Sequence, residues 1–142
     1  MKKTIGIIIA VIVVIIAIFA GTYNSLVSSQ AAVEQKQADI DTQLKRRTDL
    51  IPNLVTVAKS YAAHETEVFD AVNKARENLM GAGTMQEKAA ADDQLTSALG
   101  KLVAIAENYP ELKSDTVYVD LMDELAGTEN RISTARTNYN EA

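Results

Sequence analysis

Apolar positions run without interruption at the N-terminus and recur at helical spacing after it. Ile5 to Ala20 reads IGIIIAVIVVIIAIFA, in which only Gly6 is neither aliphatic nor Phe. No Asp, Glu, Lys or Arg occurs from Thr4 through Val33. At about 1.5 Å per residue, Ile5 to Thr22 covers about 27 Å, close to the hydrocarbon core of a bilayer. A strand of this length would leave its backbone unpaired in lipid, whereas a helix satisfies its own hydrogen bonds. The stretch therefore predicts one transmembrane helix.

Beyond it, Leu26, Val33, Ile40 and Leu44 fall on a heptad stripe interrupted by Gln30 and Gln37. This first helix is expected to leave the membrane directly, with Gly21-Thr22 as its soft point, and to run to about Asp49. Pro52 lacks an N–H and disfavours helix before it, so it predicts a junction, with Thr48 or Asp49 as cap. A second helix follows from about Asn53 to Leu79 on Leu54, Ala58, Tyr61, Glu65, Val68, Val72, Ala75 and Leu79. Gly81 to Thr84 is a loop, and Thr84 with Glu87 spells a capping box. The third helix carries Leu95, Leu99, Leu102 and Ala106 and stops before Pro110. Ser114 or Asp115 opens the fourth, on Tyr118, Leu121, Leu125, Thr128, Ile132, Ala135 and Tyr139. Residues beside the stripes, Val27, Val55, Val57, Phe69 and Val119, would widen the apolar surface beyond one bundle's core. Short connections make neighbours antiparallel. The fold class is all-α: a transmembrane helix (1–22) continuous with a long antiparallel four-helix bundle (23–142). The pattern is still running at Asn140-Glu141-Ala142, so the last helix either frays there or continues in a longer tail.

Charge narrows the partners. Apart from Lys2 and Lys3, 12 basic residues face 19 acidic ones, a balance of −7. An acidic domain does not neutralise phosphates, which argues against nucleic acid as a partner. With no Cys, disulfides and thiolate metal sites are excluded. A cleaved signal peptide fits less well than an anchor, because Ile18 would occupy the small-residue position before a cut at Ala20. Lys2, Lys3 and the α-amine against the single Lys36 beyond the span place the N-terminus in the cytoplasm and the domain outside; the Lys45-Arg46-Arg47 cluster lies farther along.

Candidate chemistry is sparse. His64 is the only histidine, and HExxH is absent because residue 68 is Val. No nucleophile elbow or phosphate-binding glycine motif occurs. Asp92-Asp93 and Asp123-Glu124 are adjacent on helices and diverge by about 100°, which reads as solvated faces rather than catalytic dyads. The expectation is a non-enzyme with no cofactor and no metal. A second constellation is Arg46, Arg47, Asp49, Glu107, Glu129, Arg131 and Arg136. These read as ion pairs that set helix register, or as a partner-binding patch near Pro52 and Pro110. The four arginines could also supply pairs between subunits. In the span, Gly6-xxx-Ala10 and Ala17-xxx-Gly21 are small-xxx-small pairs within about 20° of one another, a pattern that lets transmembrane helices associate.

The chain resembles the LemA family from Tyr23 to Asn140. The residues that carry the likeness include Tyr23-Asn24-x-Leu26-Val27 and Leu44-Lys45-Arg46-Arg47-x-Asp49-Leu50-Ile51-Pro52-Asn53-Leu54. Farther on come Tyr61, His64-Glu65, Ala75-Arg76, Glu107-x-Tyr109-Pro110-x-Leu112, Glu124-Leu125-x-x-Thr128-Glu129-Asn130-Arg131-Ile132 and Ala135-Arg136-x-x-Tyr139-Asn140. The resemblance implies an N-terminal anchor on an antiparallel helical bundle, no catalytic residues, and a short tail beyond the final Tyr-Asn. It also implies a short N-terminus outside the cell, opposite to the charge argument. Two function classes follow. One is a scaffold that self-assembles as a homo-oligomer in the bilayer. The other is a monomeric anchored adaptor presenting its bundle to a membrane-protein partner, a protease or a sensor.

Overall fold

One helix, α1, runs unbroken from Lys2 to Tyr61, 60 residues and about 90 Å long. The computed structural model describes residues 2–142, Lys2 by its backbone alone, and no strand occurs among them. The α-amine and the Lys2 side chain, part of the charge argument for orientation, lie outside the described residues. The apolar stretch of α1 is long and apolar enough to cross a membrane, and none of it is buried in the fold. Residues 3–32 are exposed throughout. Val33 is the first to be partly covered and Ile40 the first to be buried. Between Thr22 and Val33 the helix is thus a bare stalk of about 16 Å.

Pro52 does not end the helix, contrary to expectation, and neither Thr48 nor Asp49 caps a new one. A proline at position 52 cannot donate to the carbonyl of Thr48, four residues earlier. Here Arg76 takes the vacant place: its Nε donates to the Thr48 carbonyl at 2.8 Å from the neighbouring helix. The orphaned acceptor is satisfied by a tertiary contact, so α1 continues.

The first turn falls instead at Ala62 to Glu65, a stretch with no Gly or Pro. It is held at the same end of the bundle by Tyr109 and Asp115, far along the chain. The Tyr61 hydroxyl donates to Asp115 Oδ2 at 2.7 Å, and the Tyr109 hydroxyl to Glu65 Oε1 at 3.3 Å. Then come α2 (Thr66–Gly81), α3 (Met85–Ala106), the single-turn α4 (Pro110–Lys113) and α5 (Thr116–Glu141). The capping box forms as predicted: Thr84 accepts from the Glu87 N–H and Glu87 accepts from the Thr84 N–H. Asp115 caps α5 by accepting from the Tyr118 N–H at 2.9 Å.

The helices α1, α2, α3 and α5 make an up-down four-helix bundle. Tyr61 meets Asp115 at one end, while Arg131 reaches Gln43 farther down, so α5 runs antiparallel to α1. The stripes of α3 and α5 are in the core: Leu95, Leu99, Leu102 and Ala106, with Tyr118, Leu125, Thr128 and Ile132. In α1 the buried series is Ile40, Leu44, Arg47, Ile51, Leu54 and Ala58. The expected continuation through Tyr61, Glu65 and Val68 is displaced by one residue at the turn, which buries Ala62 and Phe69 instead. Val55 and Phe69 therefore belong to the core rather than to a widened surface, while Val27 and Val119 remain exposed.

The Arg76 contact yields a coupled prediction. Arg76→Leu should destabilise the bundle by about 1–3 kcal/mol, because it leaves the Thr48 carbonyl unpaired. In a Pro52→Ala background the restored N–H takes over, and the same substitution should cost measurably less. Urea unfolding of the four proteins checks it; equal costs in both backgrounds would show that the hydrogen bond is not what carries α1 through Pro52.

Candidate functional site

The span residues Gly6, Ala10, Ala17 and Gly21 lie on the bare part of α1. A Cβ built at Gly6 or Gly21 meets nothing within 4 Å, so these positions have room for a neighbouring helix.

The seven charged candidates do not form one patch. Glu107 is at the far tip, paired with Lys113 at 2.7 Å. Asp49 lies on the outer surface of α1 with Lys45 at 3.2 Å. Arg46 pairs with Glu124 of α5. Arg131 donates to Gln43 Oε1 at 3.2 Å and to Thr128 Oγ1 at 3.3 Å. Arg136 faces Asp93 of α3 at 3.8 Å. Each of these arginines has a partner within the chain.

Arg47 is the centre of the remaining cluster. It is 1% exposed, a charged guanidinium inside an apolar bundle. Its Nη1 donates to Asp92 Oδ1 at 2.5 Å, and its Nη2 donates to Thr96 Oγ1 at 2.9 Å and lies 3.7 Å from Glu129 Oε2. Three helices, α1, α3 and α5, meet through this one side chain. Asp92 is buried with it, whereas Asp93 is exposed, which corrects the reading of Asp92-Asp93 as a solvated pair. The register shows why: Asp92 sits three residues before Leu95, in line with the α3 core stripe. The spacing was legible, but a buried carboxylate needs a partner, and the sequence alone does not say which cation supplies it.

The cluster underlies a polar groove of about 570 Å³ between α3 and α5, lined by Asp92, Asp93, Thr96, Glu129, Ser133 and Arg136 among others. The α3 and α5 backbones stay more than 8 Å apart among the described residues. Burial pushes the Asp92 carboxyl above its ordinary pKa, and the charge and hydrogen bond of Arg47 offset part of that rise. A carboxyl raised in the fold binds its proton more readily there than in the unfolded chain. Its contribution to stability is therefore present at acid pH and is lost as pH rises from the unfolded value through the folded one.

This geometry makes Asp92 a strong structural dependency. Asp92→Ala leaves Arg47 charged in the core and should cost about 3–5 kcal/mol. Replacing the pair together, Arg47→Met with Asp92→Leu, should recover most of that loss. Chemical denaturation of both variants checks it. A single variant as stable as the parent would mean that Glu129 alone compensates Arg47.

Comparison with known proteins adds identity to this geometry. The family model described as the LemA family matches residues 36–142. Two proteins of Paramagnetospirillum magneticum (strain ATCC 700264 / AMB-1), magnetosome proteins MamQ 1 and MamQ 2, are each 29% identical over 92% of this chain and 58% of their own length. Magnetosome protein MamQ of Magnetospirillum gryphiswaldense is 26% identical over 83% of this chain and 53% of its own. The chain thus spans little more than half the length of these relatives. With the helical bundle, the apolar N-terminal helix and a match over most of the sequence, the chain belongs to the LemA family.

Proposed function

We propose that this chain is a non-enzymatic, single-span membrane scaffold whose bundles self-assemble in the plane of the bilayer. The observation that carries the reading is the unbroken α1. One helix is at once the apolar span, the stalk and a wall of the bundle. Association between spans then aligns the bundles above them, because no flexible linker intervenes. Tethering in a membrane also raises the effective concentration of neighbours, so that weak contacts add. The small residues of the span favour close approach of helices. His64, the one histidine, is exposed in the α1–α2 turn.

A second reading has a specific support. The polar groove between α3 and α5 is the kind of open face that an anchored adaptor would offer to a membrane-protein partner. Mass in mild detergent separates the two readings: a parent of monomer mass selects the adaptor.

Two outcomes test the scaffold. Alkaline carbonate should leave the full-length chain in the membrane pellet, and its release into the wash would remove the anchor. Replacing Gly6, Ala10, Ala17 and Gly21 by Ile should lower the particle mass in mild detergent toward the monomer. At the two glycines the added side chains meet nothing in the single chain, so a change there reports a neighbour. An unchanged mass would remove the span from the assembly.

A further inference from the structure

We propose that two copies of this chain pair in parallel, back to back, along the outermost face of α1, from the span through the stalk into the bundle. The proposal rests on the self-assembly reading above and names the surface that carries it.

The helix register supplies the first argument. Ile40, Leu44, Arg47, Ile51, Leu54 and Ala58 face the core at alternating spacings of four and three. Positions two residues away lie about 200° around the helix, on its far side. In the bundle these are Ala38, Thr42, Lys45, Asp49 and Pro52, all exposed. Counted back at the same spacing, the far side becomes Gln35, Ala31, Ser28, Asn24, Gly21 and Ala17. Ala10 falls on it as well, and Gly6 lies one position to the side. On a helix of 3.6 residues per turn this spacing drifts by about 20° per heptad, so the small residues of the span lie about 60–70° around from the outer surface of the bundle, on the same half of α1 and away from the Leu26 and Val33 side.

Sterics supply the second. Above Val33 the inner face of α1 is covered by α2, α3 and α5. A second α1 laid against the Leu26 and Val33 side of the stalk would run into its neighbour's bundle. Contact on the far side keeps each copy clear of its neighbour's bundle, with the two bundles on opposite sides of the paired helices.

Charge selects a second copy as the occupant. Beyond Val33, α1 carries five basic and four acidic residues, whereas residues 62–142 carry seven against fifteen. Identical chains repel through their acidic helices and not through α1. From Gly21 to Thr42 the far side bears no charge. Its first charged residues, Lys45 and Asp49, are 77% and 58% exposed and pair with each other within one chain. In a parallel pair, Lys45 of each copy comes beside Asp49 of the other, giving two reciprocal pairs.

The absence of Cys makes a clean test. Single variants Ser28→Cys, Gln35→Cys and Thr42→Cys on the far side are compared with Leu26→Cys and Val33→Cys on the core side, in the full-length chain in membranes. Mild oxidation should give several-fold more disulfide-linked dimer for the first three than for the last two. A core-side series that links as well or better overturns the proposal. So does an absence of links in both series, or links only to other proteins. If the detergent mass of the parent still exceeds one copy, the assembly stands and only the face was wrong; a monomer mass removes the assembly itself.

Discussion

The architecture depends on one hydrogen bond between two helices. Pro52 deprives the Thr48 carbonyl of its helical donor, and Arg76 supplies another at 2.8 Å. Without such a donor a proline in mid-helix costs about 3 kcal/mol and commonly breaks or kinks the chain. With it, α1 passes through Pro52 and keeps its register for a further nine residues to Tyr61. The same contact ties α2 to α1. Continuity of the spine is a tertiary property here, not one local to the proline.

In the anchored arrangement proposed above, a continuous spine also fixes how far the bundle stands from the membrane. The uncharged run ends at Val33, where the helix first gains cover from the bundle. The stalk of about 16 Å between Thr22 and Val33 is about twice the ~5–8 Å of headgroup region on one side of a bilayer, long enough to cross it and carry the bundle beyond. Its Asn and Ser side chains are polar without charge, which suits that zone, and Tyr23 sits where aromatic residues favour the interface. In that arrangement, the first charged residue beyond the apolar stretch, Glu34, lies just past this uncharged polar segment.

Periodicity made much of this legible and punctuation made some of it misleading. The stripes of α3 and α5, the Thr84–Glu87 capping box and the start of α5 at Asp115 follow from side-chain spacing and local hydrogen bonding, and those rules operate within a few residues. Pro52 and the turn at Ala62 to Glu65 do not. The proline was overruled by an arginine 24 residues away in sequence, and the turn has no breaking residue of its own. It is set by Tyr61 finding Asp115 and by Glu65 finding Tyr109, contacts that exist only in the folded bundle. The candidate charges show the same division. Arg47 was visible as a charge in line with Leu44 and Ile51, but its partner Asp92 was hidden in a doublet that looked solvated.

That buried pair has a role the apolar core cannot fill. Stripes of Leu, Ile, Val and Ala repeat every seven residues, and such helices pack nearly as well after sliding by one repeat, about 10 Å along the axis. A buried ion pair contributes little net stability over apolar residues of equal volume, but it is costly to break, so it penalises every register that separates its members. Arg47 meets Asp92 and Thr96 on α3 and Glu129 on α5, and so locks three helices to one height. In a soluble bundle a slipped register would alter only the packing. In this one α1 is also the span, so a slip of α3 and α5 would move their acidic surfaces along the spine toward or away from the stalk. The energetic penalty on misregister therefore becomes control of the distance between the bundle and the span, a distance that neighbouring copies must share if their bundles are to meet.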